Sequence, residues 1–186
     1  MEQRKHIPDP YWPVIDGCLK NDRLAQKTMY DKLASRMYPV CIRYVGDREL
    51  AKDILHDGFM TLFSKLHTYR RNGSFEGWAR RIFINTALMQ LRKDDVLKFS
   101  QELESAESMH STSGLAIENM ETKTLLNIIM SMPAGYRTVF NMYAIEGYSH
   151  SEIAKALGIT EGGARSQFSR ARAWLQEKLR REDYGR

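Results

Sequence analysis

The most informative stretch of the sequence is Ser149-His-Ser-Glu-Ile-Ala-Lys-Ala-Leu-Gly-Ile-Thr-Glu-Gly-Gly-Ala-Arg-Ser-Gln-Phe-Ser-Arg-Ala-Arg172. Ser149, followed three residues later by Glu152, predicts a capping box at the start of a short helix. Gly158 can adopt the left-handed conformation that ends a helix in a sharp turn, and Thr160 can cap the helix that follows. The stretch therefore predicts a helix-turn-helix.

The second helix of this pattern is strongly basic. Residues 165–181 contain six Lys and Arg residues and one acidic residue, Glu177. In a helix-turn-helix this helix enters the major groove, where Arg reads guanine, Gln reads adenine, and Ser and Arg hold phosphates. We therefore expect DNA contacts from Arg165, Ser166, Gln167, Ser169 and Arg170. The alternative is a solvated helix face in a helical hairpin without a ligand.

Helical spacing of apolar residues recurs along the rest of the chain, and no strand-like alternation stands out. The predicted helices cover residues 22–45, 47–66, 75–93, 118–131, 134–145, 150–157 and 161–180. Pro39 lies inside the first of them and predicts a kink or a break there. The predicted fold class is all-α.

A change of composition divides the chain in two. Residues 100–114 are rich in Ser and Glu and poor in large apolar side chains, which is typical of a flexible linker. We predict one helical domain at residues 1–98, an acidic linker at 99–117 and a second helical domain at 118–186. Residues 1–98 carry 18 basic and 12 acidic side chains, and residues 122–186 carry 10 and 6. Two basic modules favour a polyanion as partner.

Length and composition exclude several classes of protein. A chain of 186 residues with 42% apolar and 27% charged residues fits one ordinary globular domain or two small ones. Cys18 and Cys41 are too few for a disulfide scaffold or a zinc site, so we expect no metal and no cofactor. No apolar run approaches the roughly 20 residues that cross a bilayer, and the first residues lack a signal-peptide pattern. We therefore expect a cytoplasmic protein without a membrane insertion of its own.

Four motifs resemble the small two-domain bacterial sigma factors of the extracytoplasmic-function type. The helix-turn-helix is similar to that of the family's region four, and Met132-Pro-Ala-Gly-Tyr-Arg-Thr-Val-Phe140 is similar to the segment before it. In the other module, Ala51-Lys-Asp-Ile-Leu-His-Asp-Gly-Phe59 resembles the polymerase-binding helix of region two. Phe75-Glu-Gly-Trp-Ala-Arg-Arg-Ile-Phe-Ile-Asn-Thr-Ala87 resembles its promoter-recognition helix.

The resemblance implies a transcription-initiation factor that binds core RNA polymerase and directs it to promoter DNA. It assigns polymerase binding to Asp53, His56 and Asp57. It assigns the minus-ten element to a loop and a helix, with the residues Tyr69, Arg70, Arg71, Asn72, Ser74, Arg80, Arg81, Asn85 and Arg92. It assigns the minus-thirty-five element to the basic helix that contains Arg165, Ser166, Gln167, Ser169 and Arg170. Trp78 is expected in the core, and an anti-sigma factor is an expected partner.

Two alternatives remain at this point. A stand-alone helix-turn-helix regulator would explain residues 147–175 but not residues 51–92. An enzyme could use His56 and Asp57, or His67, as acid and base. Adjacent residues on a helix point about 100° apart and do not converge on one substrate, so we expect no catalytic activity.

Overall fold

The computed structural model describes residues 9–93 and 120–183, and within these ranges all regular structure is helical. The α-helices are α1 (Trp12–Leu19), α2 (Arg23–Val45), α3 (Arg48–Lys65), α4 (Phe75–Lys93), α5 (Met120–Ser131), α6 (Ala134–Phe140), α7 (His150–Leu157) and α8 (Glu161–Asp183). A 3₁₀ turn covers Leu66–Thr68 and a π-helical turn covers Asn141–Ile145. The prediction of an all-α fold is confirmed, while the predicted linker at 99–117 lies outside the described residues.

The described residues form two compact units. The first contains residues 9–41 and 49–87, and the second contains residues 42–48, 88–93 and 120–183. The domain boundaries at 98 and 118 border on residues that the structure does not describe, so they stay a prediction.

The core of the first unit follows the apolar stripe expected for α3. Ala51, Leu55, Phe59 and Leu62 are all buried, as the helical spacing predicts. Gly58, on the same helix, is required by close packing, because a Cβ there would overlap the ring of Phe83 on α4. The rings of Phe59 and Phe83 meet edge to face with their centroids 5.1 Å apart.

Two features of the first unit differ from expectation. Of the two outcomes expected at Pro39, a kink or a break, the break is wrong, because α2 continues as one helix to Val45. Pro39 withholds the hydrogen bond that another residue would donate to the carbonyl of Ser35, but its neighbours Val40 and Cys41 are fully buried and their packing offsets that loss. The short helix α1 was not predicted, because eight residues with only Ile15 and Cys18 buried carry too little periodicity.

A buried arginine holds part of the second unit together. Arg137 donates to the carbonyls of Tyr44 (3.0 Å), Val45 (2.8 Å), Met130 (2.7 Å) and Met132 (2.9 Å). The first two carbonyls belong to the last turn of α2, where the helix dipole places partial negative charge. Burial lowers the pKa of Arg137 to about 10, so the guanidinium is still charged at neutral pH. Its four carbonyl partners offset the cost of burying that charge.

The helix predicted over 134–145 changes character at its end. Residues 134–140 are α-helical, but Asn141–Ile145 form a π-helical turn. Asn141 is fully buried there and donates from Nδ2 to the carbonyl of Arg43 at 2.8 Å. This tertiary hydrogen bond has no signature in the local sequence, so the spacing alone could not distinguish a π-turn from continued α-helix.

The helix-turn-helix has the predicted caps. Ser149 Oγ accepts from the backbone N–H of Glu152 at 3.2 Å, and Glu152 Oε2 accepts from the backbone N–H of Ser149 at 2.8 Å. Gly158 ends α7 in the left-handed conformation, with φ at 69°. Thr160 Oγ1 then accepts from the N–H of Gly163 at 3.0 Å and caps α8. The capping box, the turn and the second cap are confirmed.

We expect Ser149→Ala to lower the free energy of unfolding by about 1 kcal/mol, because it removes the acceptor for an N–H at the start of α7. Ser151→Ala is the matched control, since Ser151 is exposed in the same first turn and its change to Ala should stay within about 0.5 kcal/mol of wild type. Thermal unfolding followed by circular dichroism measures both. Equal losses of stability in the two variants would show that the cap contributes nothing.

Candidate nucleic-acid interface

The basic face of α8 is set by what the opposite face buries. Ala164 and Ala171 are fully buried, and their spacing of two turns places them on one side of the helix. Arg165, Ser166, Ser169 and Arg170 point away from that side and are exposed. Four of the five residues expected to contact DNA therefore lie together on an open surface.

Gln167 differs from this group. Its side chain is half-buried, and its Oε1 atom is shielded from water without a hydrogen-bond partner within the described residues. The structure therefore does not place Gln167 fully on the exposed face with the other four. Arg165 forms an exposed ion pair with Glu161, one turn earlier on the same helix. Exposed ion pairs of this kind stabilise a helix only slightly. The Arg165 guanidinium can therefore exchange Glu161 for a stronger anionic partner such as a phosphate.

An aromatic cluster that the sequence did not reveal joins α7 to α8. The ring of His150 stacks on that of Tyr143 with centroids 4.3 Å apart, and Tyr143 lies 4.4 Å from Phe168 on α8. Since His150 is the first residue of α7, this contact fixes the start of α7 against α8. The sequence feature that could have predicted this cluster is the aromatic character of Tyr143, His150 and Phe168, to which the helix-turn-helix pattern assigns no role.

The α3–α4 loop, residues 69–74, contains two residues with a left-handed backbone. Gly73 has φ at 94°, and Arg71 adopts φ at 57°, which is uncommon for a residue with a side chain. Arg70, Asn72 and Ser74 are exposed and Arg71 is half-buried. These four residues are brought together on one short loop.

Tyr69, by contrast, faces inward. Its side chain is buried, and its hydroxyl donates to the carbonyl of Gly73 at 2.7 Å, which closes the loop on itself. Burial raises the pKa of Tyr69, so the phenol stays protonated and can donate. The structure does not place this residue with the exposed side chains of the loop.

The ring of Phe75 forms the centre of a second aromatic cluster where the loop meets α4. Its centroid lies 5.2 Å from that of Tyr11, 5.1 Å from Tyr69 and 5.6 Å from Trp78. Phe75 has no exposed surface, and Trp78 is half-buried beside it. The expectation that Trp78 packs with the core is in accord with these contacts.

The outer face of α4 carries three of the predicted residues. Arg81, Asn85 and Arg92 are exposed, and their spacing places them within about 40° of one another around the helix axis. Arg80 is half-buried and lies about 100° from Arg81, so it belongs to a different side of α4.

The predicted polymerase-binding residues share an exposed face of α3. Asp53, His56 and Asp57 are exposed at spacings of three and four residues. Neither aspartate is in a salt bridge with a described residue. Met60 lies on the same side, and 61% of its surface is exposed. These four exposed side chains lie together on one side of α3.

Residues 9–93 and 120–183 contain neither a candidate metal site nor a candidate membrane-spanning helix. No three His, Cys, Asp or Glu side chains in these ranges are grouped as metal ligands would be. None of the helices described there is both long and apolar enough to span a membrane.

Two family models match the chain, in the order that the motifs suggest. The model described as Sigma-70 region 2 matches residues 29–96, and the model described as Sigma-70, region 4 matches residues 122–175. Together they cover more than half of the chain. The first match contains α3, the loop and α4, and the second contains the helix-turn-helix.

Individual proteins agree with the family models. The ECF RNA polymerase sigma factor SigW of Bacillus subtilis is 26% identical over 172 residues, which cover 87% of this chain and 92% of that relative. The ECF RNA polymerase sigma factor SigE of Mycolicibacterium smegmatis is 28% identical over 156 residues, which cover 78% of this chain and 58% of that longer relative. The fold is similar to that of the sigma factor RpoE of Bartonella quintana, solved with the anti-sigma factor NepR. The TM-score is 0.50 and the identity 22%, over 83% of this chain and 96% of that one.

Proposed function

The chain belongs to the sigma-70 family, as an extracytoplasmic-function sigma factor that recognises promoters with RNA polymerase, and we propose that it does so through three surfaces. One surface binds core polymerase, one binds the minus-ten element and one binds the minus-thirty-five element. The observation that carries the proposal is that both matching segments occur in one chain and each presents exposed side chains suited to its partner. We propose domains at residues 1–98 and 118–186, joined by the linker 99–117.

Asp53, His56 and Asp57 on α3 form the proposed polymerase-binding surface. The two carboxylates are exposed and suit Arg or Lys side chains on a partner. Met60 supplies an apolar contact on the same side. Because charges steer association while apolar area supplies affinity, the combination favours a protein partner over a small ligand.

The minus-ten element is assigned to the α3–α4 loop and the outer face of α4. Arg70, Arg71, Asn72 and Ser74 offer donors to phosphates and to the edges of unpaired bases. On α4, Arg81, Asn85 and Arg92 offer further hydrogen-bond donors of the same kind. We propose an indirect role for Tyr69 and for Arg80, since the first is buried within the loop and the second lies on another side of the helix.

The minus-thirty-five element is assigned to α8, where Arg165, Ser166, Ser169 and Arg170 form an exposed polar face. Arg side chains there can pair with guanine or with phosphates, and serine hydroxyls can hold phosphates. Gln167 would have to turn outward to read a base. Its unpartnered Oε1 atom makes that rotation inexpensive, because no hydrogen bond to a described residue is lost.

We propose that the protein acts by binding and not by catalysis. His56 and Asp57 are adjacent, exposed on α3 and turned to different directions, so they form no enclosed acid–base pair. Its place of action is the cytoplasm, where bacterial polymerase works. An anti-sigma factor that covers the polymerase-binding or DNA-binding surfaces is the expected antagonist.

Run-off transcription with purified core RNA polymerase on a library of genomic fragments tests the proposed function and identifies a promoter. We expect transcripts that start at discrete positions only when this protein is added. A protein that neither binds core polymerase in a pull-down nor yields any such transcript would contradict the proposal.

We expect Asn85→Ala to reduce promoter opening while leaving the affinity for core polymerase unchanged. A lost contact to a base edge costs about 1 to 3 kcal/mol, which is a decrease of about 5- to 150-fold in open complexes. Permanganate reactivity of unpaired thymines measures opening, and a pull-down measures polymerase binding. Asn127→Ala, at an exposed asparagine of α5, is the matched control. If Asn85→Ala opens the promoter as well as this control does, Asn85 has no role in opening.

We expect Arg165→Ala to weaken binding to duplex DNA that contains the upstream element and to reduce the salt dependence of binding. The slope of log K against log salt should fall by about 1, the contribution of one phosphate contact. Arg181→Ala is a close control, because Arg181 is on the same helix, is similarly exposed and is paired with Glu177 four residues earlier. Fluorescence anisotropy at several salt concentrations measures both. Equal changes of slope would mean that the charge of α8 matters but the position of Arg165 does not.

A further inference from the structure

We propose that residues 9–16, the N-terminal clasp, hold the α3–α4 loop in the conformation that contacts the opened promoter strand, with Asp9 and Asp16 as positioning residues. The inference rests on the proposed role of the loop in minus-ten recognition. It adds a segment that lies before the family match, which begins at residue 29.

Asp9 caps α4 from a distance in sequence. Its Oδ2 accepts from the backbone N–H of Phe75, the first residue of α4, at 2.8 Å, and its Oδ1 accepts from the N–H of Tyr11 at 3.0 Å. Ser74 Oγ accepts from the N–H of Gly77 at 3.3 Å in the same turn. The start of α4 thus depends on one local cap and on one carboxylate 66 residues earlier. A negative charge at this end of a helix is also favoured by the helix dipole.

Asp16 holds the middle of the loop. It forms an ion pair with Arg71, whose guanidinium also lies over the ring of Trp12 at 5.7 Å from the centroid. Arg71 is the loop residue with the left-handed backbone at φ 57°. A side chain makes this conformation unfavourable, so the contacts of the Arg71 guanidinium with the clasp favour a backbone that the loop alone would rarely adopt.

The ring of Tyr11 completes the clasp. It packs on Phe75, and Phe75 packs in turn on Tyr69, whose hydroxyl bonds to the carbonyl of Gly73. The clasp and Ser74 also border one cleft of about 360 Å³. The clasp therefore contacts the loop at Arg71 and also contacts Phe75, the residue directly after the loop, whose ring packs on Tyr69 at the start of the loop.

This arrangement matters because unpaired bases are bound by several weak donors at once. Arg70, Asn72 and Ser74 are exposed, and within the loop itself the side-chain hydrogen bond described between its two ends is that of the Tyr69 hydroxyl to the carbonyl of Gly73. Ordering a loop on binding reduces affinity, whereas a loop held in its binding conformation avoids that cost. The clasp provides this preorganisation from outside the loop.

The test compares two aspartates that cap helices in the first unit. Asp9→Ala removes the cap of α4 beside the loop. Asp22→Ala removes the cap of α2, where Asp22 Oδ1 accepts from the N–H groups of Leu24 and Ala25 at 2.8 and 3.3 Å. Each variant is assembled with core polymerase, and open complexes are measured by permanganate reactivity on the promoter fragment that the run-off experiment yields. Polymerase affinity is measured in parallel.

We expect Asp9→Ala to reduce open complexes about fivefold, the effect of a typical lost cap, while its polymerase affinity stays at the wild-type level. Asp22→Ala should open the promoter like wild type even though its thermal stability falls comparably. Asp9→Asn should recover part of the opening, because the amide oxygen can still accept from Phe75. Asp16→Ala, an exposed change that leaves the core intact, should reduce opening in the same direction.

The outcomes separate this inference from the proposed function. If Arg70→Ala impairs opening but Asp9→Ala and Asp16→Ala behave like Asp22→Ala, the loop contacts DNA and the clasp is only structural, which overturns the inference. If neither Arg70→Ala nor Asn72→Ala affects opening, the assignment of the loop itself is wrong, and the inference fails with it.

Discussion

The burial of Phe75 is the constraint that orients the α3–α4 loop and α4, the side of the first unit that we propose to contact DNA. This residue directly follows the α3–α4 loop as the first residue of α4, and none of its side-chain surface is exposed. Its contacts with Tyr11, Tyr69 and Trp78 fix the direction in which the loop arrives and the point from which the helix departs. The packing of the Phe75 ring therefore orients both the α3–α4 loop and the outer face of α4. The exposed donors of both depend on a group that never meets DNA itself.

The helix-turn-helix of the second unit is stabilised in another way. Its elements are set by short-range chemistry: the reciprocal bonds of Ser149 and Glu152, the left-handed Gly158 and the hydroxyl of Thr160. Small residues on α8, Ala164 above all, let the helices approach closely. The exposed side of α8 that remains is the surface that we propose to contact DNA. Where the first unit relies on contacts between distant residues, this motif relies on neighbours three or four positions apart.

This contrast explains what the sequence could predict. The bounds of α7 were predicted without error because its start and end signals are local, and the buried stripe of α3 follows from helical spacing. Helix α1 was missed because its eight residues bury too few apolar side chains to give a periodic pattern. The π-helical turn and the inward orientation of Tyr69 were missed because each depends on a tertiary partner, the carbonyl of Arg43 for the turn and the ring of Phe75 for Tyr69. The N-terminal clasp could not be predicted for the same reason. The Asp9 carboxylate accepts from an N–H 66 residues away, and such a contact leaves no periodic pattern in the sequence.

Arg137 has a consequence for the biosynthesis of the protein. It bonds the carbonyls of Tyr44 and Val45, which precede it by 93 and 92 residues. At about 5 to 20 residues per second, a ribosome needs roughly 5 to 20 s to add that length of chain. Throughout that interval these carbonyls must be satisfied by water, and the apolar surface near them has no partner. During this interval the end of α2 lacks the side chain that binds its carbonyls in the folded protein, so this part of the second unit cannot be completed before Arg137 has been added.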